Sequence, residues 1–225
     1  MLARPRRPLR GMTLIELMVT VVILVMLLLA VGPSVGTWMR NTQVRNVASS
    51  MLAGLNRARN EAMRRNVPVR FSLVSLADSA VLDGSCALSD AGVSWVVSVR
   101  NPAGNCQMAP VVINDVAAYN AAVADPNNPL IVEANAGGVG GKNVVVAAKL
   151  ADGSAVADTV TFGSFGRVTD AASVAIGFIN VSNQVAGGDY RSLRIEVGAG
   201  GSVRLCDLGV TAQNDPRYCP TRAIP

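Results

Sequence analysis

Residues 12–32 read MTLIELMVTVVILVMLLLAVG, an apolar run in which Glu16 is the only charge. About 20 such residues cross the hydrocarbon core of a bilayer as a helix, so this run governs what the whole chain can become. Residues 1–11 before it are basic and proline-containing, with Arg4, Arg6, Arg7 and Arg10. Read as a secretory signal peptide, the start would be cut after Ala30. Leu28 suits an A-x-A-like site poorly, however, and Glu16 puts a charge into the apolar region. Read as a membrane anchor, the preceding arginines predict a cytoplasmic N-terminus and an external C-terminal domain. Neither reading explains Glu16, because a carboxylate at membrane depth is costly and usually has a partner and a task.

Charge and composition narrow the function. The chain has 20 Lys+Arg against 15 Asp+Glu, but without the four leading arginines the balance is 16 against 15. The basic excess is therefore no argument for nucleic acid. There is no histidine, which excludes Ser-His-Asp and Cys-His catalysis, His-ligated zinc and an imidazole pH switch. Residues 136–143, AGGVGGKN, fail the phosphate-loop pattern at both ends, since Ala136 replaces the first glycine and Asn143 replaces Ser/Thr. Asp152, Asp158, Asp170 and Asp189 match no metal loop. No catalytic residue, metal or cofactor is expected, and the chain reads as a non-enzyme.

A third reading of the N-terminus accounts for Glu16. Gly11-Met12-Thr13-Leu14-Ile15-Glu16-Leu17 resembles the type III signal of type IV pilins and pseudopilins, although Met12 stands where phenylalanine is usual. The resemblance implies cleavage after Gly11 by a prepilin peptidase and methylation of the new N-terminus at Met12. It also implies a subunit-assembly role for Glu16, facing the terminal amine of a neighbouring subunit. A carboxylate and an ammonium, each unfavourable alone in an apolar setting, are tolerated as a pair. Pro33 falls where these proteins often carry a helix-bending proline.

Beyond it, Val44, Val47, Met51, Leu55, Ala58 and Ala62 recur at spacings of three and four, the pattern of one apolar helix face. Asn66-Val67-Pro68 is a stop signal. One helix is thus expected from about Met12 to Asn66, roughly 80 Å long at 1.5 Å per residue. LNRARNEAMRRN near its end resembles the GspH/FimT branch of minor pseudopilins and minor pilins. Arg40, Arg45, Arg57, Arg59, Arg64, Arg65 and Arg70 face only Glu61 in this segment. They read as a solvated helix face, or else as a docking surface for residues 71–190, which hold ten acids and four bases.

After Phe71 the helical period gives way to short β-rich runs between Gly, Asn, Asp and Pro. Strands are expected at Val69–Leu76, Val93–Arg100, Leu130–Glu133, Val144–Lys149, Thr159–Phe162, Ser173–Ile179, Ser192–Val197 and Ser202–Cys206, with long loops across 101–143. The fold class is α+β: a long N-terminal α-helix, with a membrane-spanning half and an amphipathic half, packed on a mostly antiparallel β domain. The expected divisions are a cleaved leader (1–11), a transmembrane helix (12–36), its amphipathic continuation (37–68) and a periplasmic β-rich domain (69–225).

FGSFGRVT at 162–169 resembles a strand-turn-strand signature of the same branch and needs a glycine for its turn. Cys86, Cys106, Cys206 and Cys219 form no C-x-x-C, and their even number beyond a membrane span suggests disulfides in an oxidising compartment. Sequence does not fix their connectivity; chain proximity favours Cys86–Cys106 and Cys206–Cys219.

The resemblance implies a structural subunit that primes or forms the tip of a type IV pilus, or an H-type minor pseudopilin of a type II secretion system. Its partners would be other minor and major pilins, the prepilin peptidase, an inner-membrane assembly platform and the lipid bilayer. Some FimT-like minor pilins bind DNA through a C-terminal Gly-Arg-x-Arg motif. Here Gly201-Ser202-Val203-Arg204 lacks the first arginine, leaving Arg204, Arg191 and Arg194 as candidate DNA contacts.

Overall fold

The computed structural model describes residues 11–111, 115–139, 141–185 and 189–220, apart from the side chains of residues 30–34 and 139. Helix α1 runs from Leu14 to Arg65. The bend expected at Pro33 lies outside the described side chains. Two compact units divide the chain, Met1–Met39 and Arg40–Pro225.

In the second unit, α1 presents the predicted stripe. Val44, Val47, Ala48, Met51, Leu55, Ala58 and Ala62 are all buried in one core with both sheets. Gly54 sits in the same stripe because a Cβ there would come within 2.9 Å of the Phe71 and Trp95 rings. Those rings pack at 5.8 Å between centroids, and Trp95 Nε1 donates to Ser50 Oγ at 3.0 Å. The helix stops at Asn66, whose φ of 54° is the left-handed conformation that closes helices, with Pro68 two residues on.

The strands are β1 (Val69–Ser75), β2 (Ala87–Leu88), β3 (Ser94–Ser98), β4 (Ile131–Asn135), β5 (Val144–Lys149), β6 (Thr159–Phe162), β7 (Phe178–Asn183), β8 (Leu193–Val197) and β9 (Val203–Asp207). The first sheet has the order β2-β1-β3-β4, with β6 also paired to β1, and the second has the order β5-β7-β8-β9. Every strand pairing within the sheets is antiparallel. Alternation assigns the faces: Val69, Phe71 and Leu73 of β1 and Leu193, Ile195 and Val197 of β8 enter the main core. On the reverse of the first sheet, Val74, Val96 and Ile131 form a smaller core with Cys86 and Cys106. The fold is α+β, as the sequence implies.

Two expectations need correction. The strand placed at Ser173–Ile179 is β7 at Phe178–Asn183, because Val174 and Ala175 both turn back to donate to the Ala171 carbonyl. The segment 101–143 is not only loop. It holds helix α2 (Val116–Ala124), capped by the Asp115 side chain, which accepts from the Ala118 N–H at 3.0 Å. Arg100 donates to the carbonyls of Val123, Asp125 and Asn128 at its other end. No α2 residue is buried.

Candidate functional site

In the first unit, Gly11 and Met12 are exposed ahead of α1. Thr13 Oγ1 accepts from the Glu16 N–H at 3.3 Å, the N-cap half of a capping box with Glu16 at the third helical position. Thr13 was not singled out from the sequence, although Thr-x-x-Glu before an apolar run is its signal. Glu16 therefore lies in the first turn of α1, where the helix dipole favours an anion. From Leu14 to Leu29 every apolar side chain is exposed, an uncovered surface far larger than a lone soluble chain carries. Among the described residues no helix is long and apolar enough to cross a membrane; the described apolar stretch ends at Leu29.

In the second unit, the arginines of α1 divide. Arg64 and Arg65 donate to the Glu61 carboxylate at 2.7 Å, and Arg57 reaches it at 3.4 Å while also pairing with Glu133 of β4 at 3.4 Å. Glu61 is 2% exposed. Burial works against its charge, yet the hydrogen bonds from Arg64 and Arg65 and the charges of Arg65 and Arg57 hold its carboxyl below the usual range. Arg45, Arg57 and Arg64 are exposed, as a solvated face requires, whereas the Arg65 side chain is only 7% exposed. Arg40 stacks over Tyr190 and donates to Asn183 at 3.4 Å. Asn41 clamps the loop before β8, donating to the Asp189 carbonyl and accepting from the Arg191 N–H.

Arg59 leads to the Gly-Arg-Val-Thr turn. Its Nε donates to the Gly166 carbonyl at 3.1 Å. Gly166 adopts the left-handed φ of 69° that favours glycine, and a Cβ there would lie 2.9 Å from Met63 Sδ and displace that side chain. Gly201 (φ 82°) is more restricted still, since a Cβ there would meet the Gly166 carbonyl oxygen. Helix, turn and the start of β9 thus interlock through two glycines and one arginine, a link that separation in sequence conceals.

The cysteines form Cys86–Cys106 and Cys206–Cys219, with Cα separations of 6.1 and 5.2 Å. Each closes a loop whose entropy is worth roughly 3 kcal/mol in the chain-entropy model. The second ties the tail to β9, where the Asp207 N–H also donates to the Arg217 carbonyl. In that tail the Arg217 side chain and backbone N–H hold the Asp215 carboxyl down to about 2.

The candidate DNA contacts do not form an open cationic cluster. Arg194 lies over the Phe178 ring at 4.3 Å and donates to Asn180, while Arg204 pairs with Glu196 at 2.8 Å. Arg191 is exposed. In the glycine-rich stretch, Gly137–Val139 make a 3-10 turn, and the Gly138 N–H donates to Ser79.

The family model described as "Type II transport protein GspH" matches residues 47–201, and the prokaryotic N-terminal methylation motif matches residues 6–32. Two crystal structures of the type IV minor pilin FimU from Pseudomonas aeruginosa (strain PAO1) are similar. One, in space group P21, has 13% identity and a TM-score of 0.40, covering 75% of this chain and 91% of its own. The other, in space group P65, has 14% identity and a TM-score of 0.37, covering 72% and 90%. No curated protein matches. Because the family model takes in most of the chain, from the core stripe of α1 to the glycine that locks β9, the chain belongs to the GspH family of type II transport proteins.

Proposed function

We propose that the chain is a minor type IV pilin that helps prime or form the tip of a pilus. In this reading residues 12–36 insert in the inner membrane, with residues 1–11 cytoplasmic and residues 69–225 periplasmic. The prepilin peptidase cuts after Gly11 and the new terminus at Met12 is methylated. Glu16 then pairs with the terminal amine of a neighbouring pilin as the assembly platform draws the subunit out of the lipid. The observation that supports this is the wholly uncovered apolar surface of Leu14–Leu29, with one carboxylate in its first turn, lying inside the match to the methylation motif. Such a surface needs lipid or other helices around it.

An H-type minor pseudopilin of a type II secretion system is the second reading, favoured by the description of the matching family. The disulfide-closed tail supports the pilus reading instead. DNA binding would have to recruit Arg191, Arg194 and Arg204, two of which are already engaged within the fold.

The test is the intact mass of the protein purified from membranes of cells with and without the prepilin peptidase. A species beginning at methylated Met12, seen only with the peptidase, is expected. An uncut chain in both strains, or a cut near Ala30, refutes the proposal.

A further inference from the structure

The four phenylalanines of the chain are used unequally. Phe71 and Phe162 are fully buried, and Phe178 lies under Arg194. Phe165 is 89% exposed. It occupies the tip of the tight turn in which the Gly166 N–H donates to the Gly163 carbonyl at 2.8 Å. That turn is held from below by Arg59, Met63 and Gly201, so the ring is displayed on a backbone with little freedom to lose. A rigidly presented aromatic is the usual energetic centre of a protein interface.

Its surroundings are cationic. Arg167 follows it in the turn and is exposed, and among the described residues neither Arg59 nor Arg167 has a carboxylate in ion-pair range. Met63, 42% exposed beside Gly166, extends the apolar surface.

We infer that Phe165 is an anchor that inserts into an apolar pocket, rimmed by carboxylates, on a different pilin-class subunit of the same fibre. This rests on the pilin reading above and names the surface by which the β domain would recognise its neighbour. The cationic rim selects an acidic partner surface and fixes the orientation of docking. One ring with one methionine offers little area for stable attachment to a lipid surface, but it matches the size of an interface hot spot.

The test uses the full chain in cells assembling the fibre, with p-benzoylphenylalanine in place of Phe165 and, as a control, in place of the exposed Val174. Irradiation is expected to join position 165, and not 174, to another subunit that carries its own methylation motif. The joined peptide should contain apolar residues beside Asp or Glu. Phe165→Ala is expected to weaken this association about thirtyfold, the effect of truncating a hot-spot aromatic, and Arg167→Glu to weaken it further at low salt. Crosslinks only to lipid, or only to a second copy of this chain, overturn the inference. So does Phe165→Ala recovered from sheared fibres at the wild-type level. If Phe165→Ala is without effect while the chain is cut after Gly11 and enters fibres, the anchor alone fails. If the chain is neither cut nor incorporated, the pilin reading fails and the anchor with it.

Discussion

Removing the Glu61 carboxylate tests whether the end of α1 is held by a buried charge cluster or by apolar packing alone. Of its three cationic neighbours, Arg57 and Arg64 are about half exposed and can turn to water once the carboxylate is gone. Arg65 cannot, since its side chain is 7% exposed and its Nη1 already has no hydrogen-bond partner among the described residues. The loss therefore falls on Arg65. Stranding a buried charge costs about 3–5 kcal/mol, and the lower figure applies because the other two arginines relax. Glu61→Ala should thus lose about 3 kcal/mol, whereas Glu61→Met with Arg65→Met, which leaves no buried charge, should lose less than the single substitution.

The assay is urea unfolding of the full chain at fixed detergent concentration in a Trp38→Phe background, read by fluorescence of the buried Trp95. The pH dependence has a definite sign. The folded carboxyl is held below its unfolded value of about 4.3. Its stabilisation is thus fully present above that pH and is lost as pH falls through the lower folded value. Glu61→Gln should remove this part of the acid slope. A Glu61→Ala loss below about 1 kcal/mol, or a double variant less stable than the single, would refute the reasoning.

Three further outcomes are expected. Gly201→Ala, at φ 82° and directly against the Gly166 carbonyl, should cost at least about 2 kcal/mol, while Gly200→Ala, with open space around it, should stay within about 0.5 kcal/mol; paired thermal melts distinguish them. Replacing Cys206 and Cys219 together by Ser should lower stability by about 3 kcal/mol by the chain-entropy estimate, measured by urea unfolding with the slope fitted separately for each protein, because opening the loop expands the unfolded chain and steepens the slope. Glu16→Ala should leave the mass after cleavage at Gly11 as expected for the variant but reduce the subunit's recovery in sheared fibres, whereas an uncut variant would show that Glu16 acts in processing.

The helix was legible because two independent signals agreed: the apolar run after Gly11, and the three-and-four spacing from Val44 to Ala62 that ends at Asn66-Val67-Pro68. The strands were legible where alternation was bounded by turn residues, as at Val144–Lys149 and Thr159–Phe162, both reproduced to the residue. Ser173–Ile179 misled because its apolar alternation continues through Gly177 into β7, and only the turn at Ala171–Ala175 decides the register. Helix α2 was hidden because VAAYNAAVA has apolar residues all round and so no one-sided period. The disulfide pairs followed chain proximity. The contact of Arg59 with Gly166 and Gly201 joins residues from three distant parts of the sequence, and no local pattern encodes it.

The core stripe of α1 precedes in the chain every strand that covers it. A polypeptide emerging amino end first therefore presents Val44–Ala62 long before Val203–Asp207 exists to close the second sheet. The strand made last is thus an edge strand of the second sheet. A nascent chain halted before Gly201 would lack Val203 and Leu205, which pack against the main core. That makes the final segment, with its lock against Gly166 and its Cys206–Cys219 bridge, the last piece of chain needed to complete the β domain.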